Sequence, residues 1–458
     1  MPAAGSSLGR HVRRTIVLAL PIVLSRAGTM LLITTDTLAA GRLGGIELAA
    51  IGLGLAPQIV AFMIMMGALQ VTVLLAATAL GEKRPDRIGE ILVTALAHAF
   101  LLGLASTSLA LVSEPLFLAL GQDPVVAARA AEVAHAHAFG VPAFMVFMVA
   151  AMVIETIGRP VVATAIILGV NLLNIGLDLA LIRGLLPGLE GAPGLVATTS
   201  ALRVAAMAAA LGWLLREARR STDGFGIIAA LGRAGSILRS GGGDDGRRIR
   251  RLGLPMGLAQ GVESAAFNAI LMVAGTIAPA ALAAHQATMT VVTLSYMVAV
   301  GYSGAAAIRV GNALGARNLA DLRRAAWTPI ALEGLTGLAF GALLHVYAQE
   351  IAAMLTSDPA VIAVLATTLP IAAMLLAFDG MMGVALGVLR GIGDAWWPLI
   401  LQALAFWLVA LPVAHVVAVR LGHGAAGLQV AIFAGVAVSF AMLAVRIVAR
   451  TRTLPQPG

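Results

Sequence analysis

The sequence of 458 residues contains no cysteine and little charge, since Asp, Glu, Lys and Arg together make up only 11% of it. Without cysteine the chain has no disulfides, no thiolate metal ligands and no thiol nucleophile. A soluble globular domain carries about 25% charged residues, whereas 60% of this chain is hydrophobic. The composition therefore excludes a disulfide-rich scaffold, a disordered protein and a soluble enzyme.

Sequence motifs for catalysis are also missing. No Gly-rich loop precedes Lys-Ser or Lys-Thr, so ATP hydrolysis within this chain is not expected. No His-Glu-x-x-His or Cys/His metal pattern occurs, and no nucleophile stands out with a base. The sequence thus predicts a protein that is not an enzyme and has no cofactor.

The net charge of +8 comes from basic residues that are all arginine except Lys83. A nucleic-acid-binding protein concentrates such charge on one face of a water-soluble body. Here the arginines separate long apolar runs, as in a multi-pass membrane protein. We therefore expect a lipid bilayer as the partner, and no nucleic acid.

Twelve runs are long and apolar enough to cross a bilayer, which requires about 20 residues per helix. None alternates apolar and polar residues as the strands of a membrane β-barrel do. The first follows several arginines but is too long for a signal peptide, so we interpret it as an uncleaved span. The runs are 15–40, 47–78, 88–112, 125–154, 160–182, 194–216, 252–278, 281–313, 325–347, 360–389, 396–419 and 425–446.

The distribution of arginine predicts the orientation. With the N-terminus inside, the basic clusters around 10–14, 83–87, 216–251, 317–324 and 446–452 all face the cytoplasm. The positive-inside rule then places both termini in the cytoplasm and favours an even number of spans. We expect a bacterial inner-membrane protein.

Two halves are separated by the hydrophilic segment 217–250, which we interpret as a solvated cytoplasmic linker between lobes 1–216 and 251–458. A shift of 234 residues superimposes the halves: Leu18–Pro21 falls on Leu252–Pro255, and Ala79–Gly81 on Ala313–Gly315. Each half has six spans and begins inside, so the repeats are parallel. The predicted fold is an all-α membrane protein of twelve helices, in two six-helix lobes related by a pseudo-two-fold axis along the membrane normal. This is a transporter architecture, although a duplicated channel or membrane enzyme would show the same repeat.

Motifs at these landmarks resemble the multidrug and toxic compound extrusion (MATE) family. They include TTDTLAAGRLGGIELAAIGL after the first arginines, ETIGRPVVATAIILGVNLLNIGLDLALIRG in the fourth and fifth spans, and RLGLPMGLAQGVESAAFNAILMVAGTIAPAALAAHQATM in the second half. The resemblance covers residues 15–450. It is greatest to the bacterial norfloxacin-efflux branch, because Glu263 and Asp379 of this sequence match acidic residues of that branch. It implies two six-helix lobes and secondary antiport of organic cations out of the cytoplasm.

Four oxygen-bearing residues in the first half form one candidate site: Asp36, Asn174, Asp178 and Thr198. At the rise of a helix, Asp36 and Asp178 lie about 33 and 27 Å from the cytoplasmic boundary, and Thr198 enters from outside at a compatible depth. Asn174 and Asp178 are spaced i, i+4 and share a helix face.

The oxygens of these residues suit a hard monovalent cation, with Asp36, Asn174 and Asp178 as Na+ ligands, or a proton, which a carboxylate in a low-dielectric site binds readily. The resemblance points to the same four positions as a cation-linked site. The structural alternative is an ion pair of Asp36 with Arg26 or Arg203.

Glu263 and Asp379 form the second candidate site, because both lie about 17–18 Å from the cytoplasmic boundary on different spans. A carboxylate pair attracts an organic cation and exchanges a proton, and Phe267, one turn from Glu263, is available for cation–π contact. The alternative is a structural hydrogen bond. We interpret Glu333 and His285 as packing residues.

The sequence therefore predicts a secondary antiporter that exports hydrophobic organic cations in exchange for H+ or Na+, as a monomer. The alternatives are a flippase for lipid-linked sugars or cell-wall precursors, which would favour a basic cavity, and a channel, which would tolerate loss of both acid clusters.

Overall fold

The computed structural model describes residues 8–220 and 224–453, and within these ranges every regular element is helical. The α-helices are α1 Leu8–Leu43, α2 Gly45–Leu69, α3 Val71–Gly81, α4 Ile88–Leu111, α5 Ser113–Ala119, α6 Pro124–Thr156, α7 Pro160–Ile182, α8 Gly191–Arg220, α9 Ile227–Gly232, α10 Ala234–Arg239, α11 Gly243–Ile277, α12 Pro279–Gly315, α13 Leu319–Val346, α14 Ala348–Leu355, α15 Pro359–Ile392, α16 Trp396–Ala403, α17 Leu411–Val413 and α18 Gly424–Thr453. Short 3-10 segments span Pro85–Arg87 and Gly224–Gly226, and π-helical segments Leu404–Ala410 and Ala414–Arg420 flank α17.

Twelve helical segments of the described chain are long and apolar enough to cross a membrane. They coincide with the twelve predicted spans, the largest difference being at Gly243, where the seventh begins nine residues earlier than hydropathy indicated. Helices are expected because lipid offers no partner for backbone N–H and C=O groups, which a helix satisfies internally. The predicted all-α membrane fold with twelve spans is confirmed.

Local sequence explains where two of the most buried helices begin. Asp123 precedes Pro124 at the start of α6, and its carboxylate accepts from the backbone N–H of Val125 at 2.9 Å. Asp358 precedes Pro359 at the start of α15 and accepts from the N–H of Ala360 at 2.9 Å. Aspartate at the N-cap and proline at the first helical position are both favoured there, since proline lacks an N–H that would need a partner.

The helices pack into two compact units. One comprises residues 24–257, and the other the residues up to 23 and from 258 onward. The unit of residues 24–257 is called the N-unit below, and the other the C-unit. Two helices pass from one unit to the other along their length, α1 between residues 23 and 24 and α11 between residues 257 and 258. The predicted lobes 1–216 and 251–458 divide the chain differently, since the segment up to residue 23 belongs to the C-unit and the segment 217–257 belongs to the N-unit.

The internal repeat extends to the helix boundaries. At the shift of 234, the end of α1 at Leu43 falls on the end of α11 at Ile277, and Gly45 falls on Pro279, the first residue of α12. The second span ends at Gly81 and its counterpart at Gly315. The short helices α5 and α14 also occupy corresponding places in the two halves. The two halves therefore share one order of elements, which their sequence landmarks already indicated.

The segment predicted to be a solvated linker is folded where the structure describes it. Asp245 is buried and forms an ion pair with Arg87 at 2.9 Å, and Arg233 contacts Glu90 at 3.0 Å. Gly226 has a positive φ of 65° and lies so close to the carbonyl of Asp86 that a β-carbon would clash. Hydropathy misses this packing because the contacts are made by charges and glycine rather than by an apolar face.

Candidate functional site

The predicted oxygen cluster of the N-unit is present on α1, α7 and α8. The Asn174 amide nitrogen donates to Asp36 Oδ1 at 3.3 Å and to Asp178 Oδ1 at 3.4 Å. The three side chains are almost completely buried, with exposures of 0% for Asn174 and 3% for each aspartate. Asn174 and Asp178 thus lie on one face of α7, as their spacing predicted, and both side chains reach the neighbourhood of Asp36.

The hydroxyl of this cluster comes from Thr199 rather than from Thr198. Thr199 donates to Asp36 Oδ1 at 2.8 Å and accepts from Asn174 Nδ2 at 2.8 Å, whereas Thr198 donates to the Leu195 carbonyl of its own helix. Neighbouring helical residues point about 100° apart, so only one of the two faces Asp36. The depth argument fixed the level of α8 correctly but not its rotation.

Neither the half-buried Arg26 nor the buried Arg203 pairs with Asp36 among the described ion pairs. Arg26 is bound to Glu155 at 3.0 Å, and Arg203 contacts His137 at 3.1 Å and lies over the Phe144 ring at 5.0 Å. Sequence reasoning missed Glu155 because it lies one residue beyond the predicted fourth span. It also missed His137, which nothing in the pattern distinguishes from a packing residue.

Asp178 Oδ2 is buried and has no hydrogen-bond partner within the described part of the chain. A buried ionised oxygen without a partner is unfavourable by several kcal/mol, so this atom is available to a proton, a cation or a water molecule. The Asn174 Oδ1 atom instead accepts from Thr35 at 2.6 Å. The amide nitrogen therefore lies between the two carboxylates, where a sodium ion would need the amide oxygen.

The second candidate site is a cavity of about 280 Å³ in the C-unit. Glu263 on α11 and Asp379 on α15 both line it, so the structure brings together the acid pair that helix depth predicted. The other lining side chains are aromatic, amide, hydroxyl, thioether and aliphatic, together with one histidine, His285. They are Phe267, Asn268, Leu271, His285, Gln286, Met289, Val292, Thr293 and Tyr296.

Hydrogen bonds and rings hold the Glu263 side of this cavity in place. Gln402 donates to Glu263 Oε2 at 2.8 Å, and Phe267 stands one turn from Glu263 with its ring 5.4 Å from that of Phe406. The half-buried Tyr296 lines the cavity and packs over Gly383. Sequence reasoning missed Gln402 and Tyr296, since an amide or phenol within an apolar span carries no spacing signal.

His285 shows why its interpretation as a packing residue was incomplete. Its side chain is 1% exposed and its Nδ1 lies 3.2 Å from the amide of Gln429, which is the satisfied helix-packing contact expected. The same side chain also lines the cavity.

A sequence profile of the MatE family matches residues 21–179 and 255–416. The chain belongs to the MatE family. The "Probable multidrug resistance protein NorM" of Caulobacter vibrioides is 30% identical over 91% of this chain and 86% of its own length. That of Pseudomonas aeruginosa is 31% identical over 93% and 87%. The similarity to the MATE family and its NorM branch is thus confirmed, and the chain, as a member of a transporter family, is not an enzyme.

Solved structures share the fold of this MatE protein. The eukaryotic MATE transporter AtDTX14 has a TM-score of 0.84 at 18% identity, covering 97% of this chain and 98% of that one. A MOP superfamily transporter from Pyrococcus furiosus has a TM-score of 0.82 at 21% identity over 97% of each chain, and is described as having a binding pocket of reverse polarity that suggests a different function. Since one fold carries pockets of different polarity, function has to be argued from the residues of the pocket.

Proposed function

We propose that this MatE protein is a secondary antiporter that exports hydrophobic organic cations from the cytoplasm in exchange for H+ or Na+. The observation that carries the proposal is the cavity of the C-unit, in which Glu263 and Asp379 are combined with aromatic and thioether side chains. Carboxylates attract a cation, Phe267 and Tyr296 offer ring faces to it, and Met289 adapts to varied shapes.

The multidrug names of the bacterial NorM relatives support the same class of substrate. An aromatic monocation such as ethidium combines the charge and the apolar surface that this lining would bind. We therefore expect small-molecule organic cations as partners, with no requirement for a second copy of the chain.

The contacts of Asn174 favour the proton as the exchanged ion. Its amide nitrogen donates to both aspartates of the N-unit cluster, which leaves Asp178 Oδ2 to be satisfied by a proton. Sodium would call for the Asn174 amide oxygen in place of the nitrogen, at the expense of the contact between that nitrogen and Thr199. The ion is decided by the experiment below.

In the proposed cycle, the protein alternates between forms open to either side of the membrane. Exchange requires that the cation and the ion bind the two forms with different affinity, because a ligand with equal affinity for both shifts nothing. One monovalent cation exchanged for one ion moves no net charge. Transport would then be insensitive to the membrane potential, which is worth about 2.3 kcal/mol per charge per 100 mV.

A flippase for lipid-linked sugars is the alternative function. The pyrophosphate of such a lipid would call for cationic donors, whereas the two charged side chains that line the cavity are both carboxylates. The clusters of arginine and the bacterial relatives support a location in the bacterial cytoplasmic membrane, with both termini inside.

The test is ethidium transport into everted vesicles or out of proteoliposomes under an imposed proton or sodium gradient. We expect one of the two gradients to drive transport against the dye gradient, and Asp36→Asn and Glu263→Gln each to abolish that driven component. Glu350→Gln is the matched control, because Glu350 is exposed on α14 and its loss should leave the rate unchanged.

Transport that persists in both acid variants would refute the assignment of the two sites. If neither the proton gradient nor the sodium gradient drives transport of any cationic dye, in a preparation that thermal melting shows to be folded, the antiport is refuted and the flippase becomes the first candidate.

A further inference from the structure

Glu333 on α13 is a buried acid that the proposed antiport does not use. Its side chain is 2% exposed and does not line the cavity of the C-unit. It lies against the backbone of Gly380 on α15, so closely that a β-carbon there would be 2.8 Å from Cγ and 2.9 Å from Cδ of Glu333. The absence of a side chain at residue 380 makes the space for this carboxyl group.

Within the described residues, Glu333 has no counter-charge. Its Oε2 atom has no hydrogen-bond partner among the described residues, and within that part of the chain no cation on any packed helix forms an ion pair with it. The neighbouring contacts between α13 and α15 are apolar, with Gly334 on Met381 and Gly337 on Ala377. An ionised carboxylate in this environment is strongly unfavourable, which favours the protonated form of Glu333.

Glu333 lies beside an acid of the cavity. Asp379, which lines the cavity with Glu263, is next in sequence to Gly380, against whose backbone Glu333 packs. A charge on the Asp379 carboxylate therefore opposes a charge on Glu333. The other titratable side chains of the cavity lining are His285 and Tyr296, which packs on Gly383 of α15. Glu333 thus adjoins the cation site without lining the cavity.

We propose that Glu333 is a third proton-binding site of the C-unit, whose proton is released when an organic cation occupies the cavity. The inference rests on the proposed function in that it takes Glu263 and Asp379 as the cation site. While the cavity is empty, burial away from water and then repulsion from Asp379 keep Glu333 protonated. A bound cation offsets the charge of the acid pair, so Glu333 ionises, and its proton passes to the Asp379 carboxylate and then to water in the cavity.

This proposal differs from a structural role in a measurable way. A glutamic acid that is merely neutral and buried is reproduced by glutamine, which has the same shape and no proton to exchange. By linkage, the slope of log Kd for the cation against pH equals the number of protons exchanged on binding. Removing one exchanging group lowers that number by up to about one.

The experiment measures ethidium binding to the purified full-length protein by fluorescence polarisation across pH, and proton release on binding in weakly buffered solution. Compared with the wild type, Glu333→Gln should release fewer protons per bound dye and show a shallower dependence of Kd on pH. Glu350→Gln, which removes an exposed acid of the same unit, should match the wild type in both.

Glu333→Met serves as the second variant if the glutamine variant does not fold, because an apolar side chain of similar volume suits the contacts around it. A wild-type slope and proton count in either folded variant would overturn the proposal. Binding by the wild type without proton release would overturn it as well, whereas the antiport itself stands or falls on the gradient-driven efflux described above.

Discussion

At the scale of single residues, one hydroxyl group organises the acid cluster of the N-unit. Thr199 is 1% exposed, donates to Asp36 and accepts from Asn174, both at 2.8 Å. A hydrogen bond to a charged group contributes about 1.5–3 kcal/mol, and each 1.4 kcal/mol is a tenfold change in affinity. The threonine next to it, Thr198, makes only a contact within its own helix. The two adjacent threonines therefore form a natural pair for comparison.

Thr199→Val should lower the proton concentration needed for half-maximal ethidium transport by about tenfold or more, because the variant keeps the shape and loses the donor that stabilises the ionised form of Asp36. Thr198→Val should have less than a twofold effect. The measurement is gradient-driven efflux at a series of ion concentrations. A larger effect of Thr198→Val than of Thr199→Val would show that Thr198 belongs to the site.

The buried pair of Arg26 and Glu155 is predicted to stabilise the N-unit. The atoms are 3.0 Å apart and Glu155 is almost fully buried, so Arg26→Gln or Glu155→Gln alone should lower the free energy of unfolding by about 3–5 kcal/mol. The double variant should lose less than the sum, because no charge is then left unpaired. Thermal or SDS unfolding in detergent measures all three, and additive losses would contradict the pairing.

At the scale of elements, α13 packs on α15 through small residues. A β-carbon at Gly337 would lie 2.6 Å from Ala377 Cα, and one at Gly341 would clash with the Ala373 carbonyl oxygen. One at Gly334 would meet the flexible end of Met381 at 2.9 Å. Small residues let helix backbones approach closely in membranes, where packing rather than exclusion of water drives association. This approach places Glu333 against Gly380.

Gly337→Ala and Gly341→Ala should each lower the free energy of unfolding by about 1–3 kcal/mol, the cost of inserting a methyl group against a rigid backbone. Gly334→Ala is the matched control on the same helix and should cost less, since Met381 can move. The melting temperature in detergent reports the difference. Equal losses of stability at all three positions would mean that helix propensity or strain, and not the contact with α15, determines the effect of the substitutions.

The elements were largely predictable from sequence, and the contacts between them were not. Hydropathy located the twelve spans because the energy of burying apolar residues in lipid depends on composition alone. The rotation of a helix depends on its neighbours, which is why Thr198 was selected in place of Thr199. The fold of 224–250 was missed because charged contacts such as Arg87 with Asp245 have no local sequence signal.

At the scale of the whole molecule, the distribution of arginine predicts the side of the membrane that each loop faces. The chain contains no cysteine. A cysteine introduced at one position is therefore the only thiol of the protein that a maleimide can label. Glu82, just after α3, and Gln122, before α6, are both exposed and are predicted to lie on opposite sides. One span, Pro85–Leu111, separates the two positions, so labelling them tests the predicted orientation.

In intact cells, a membrane-impermeant maleimide should label Gln122→Cys and leave Glu82→Cys unlabelled until the cells are opened. The reason is the excess of basic residues around residues 83–87, which retains that loop in the cytoplasm. Labelling of Glu82→Cys in intact cells would reverse the proposed orientation. The cysteine-free parent provides the background.

The central claim is that the organic cation and the coupling ion exchange for each other, and reversing the cycle tests it most directly. Proteoliposomes with ethidium outside and no ion gradient should take up the dye and lose protons from the lumen, so a trapped pH indicator reports a rise in pH. If the ion is sodium, the lumen should instead release sodium with the dye. Glu263→Gln should abolish both movements. Dye uptake by the wild type without counter-movement of either ion would contradict antiport and leave a protein that conducts without exchange.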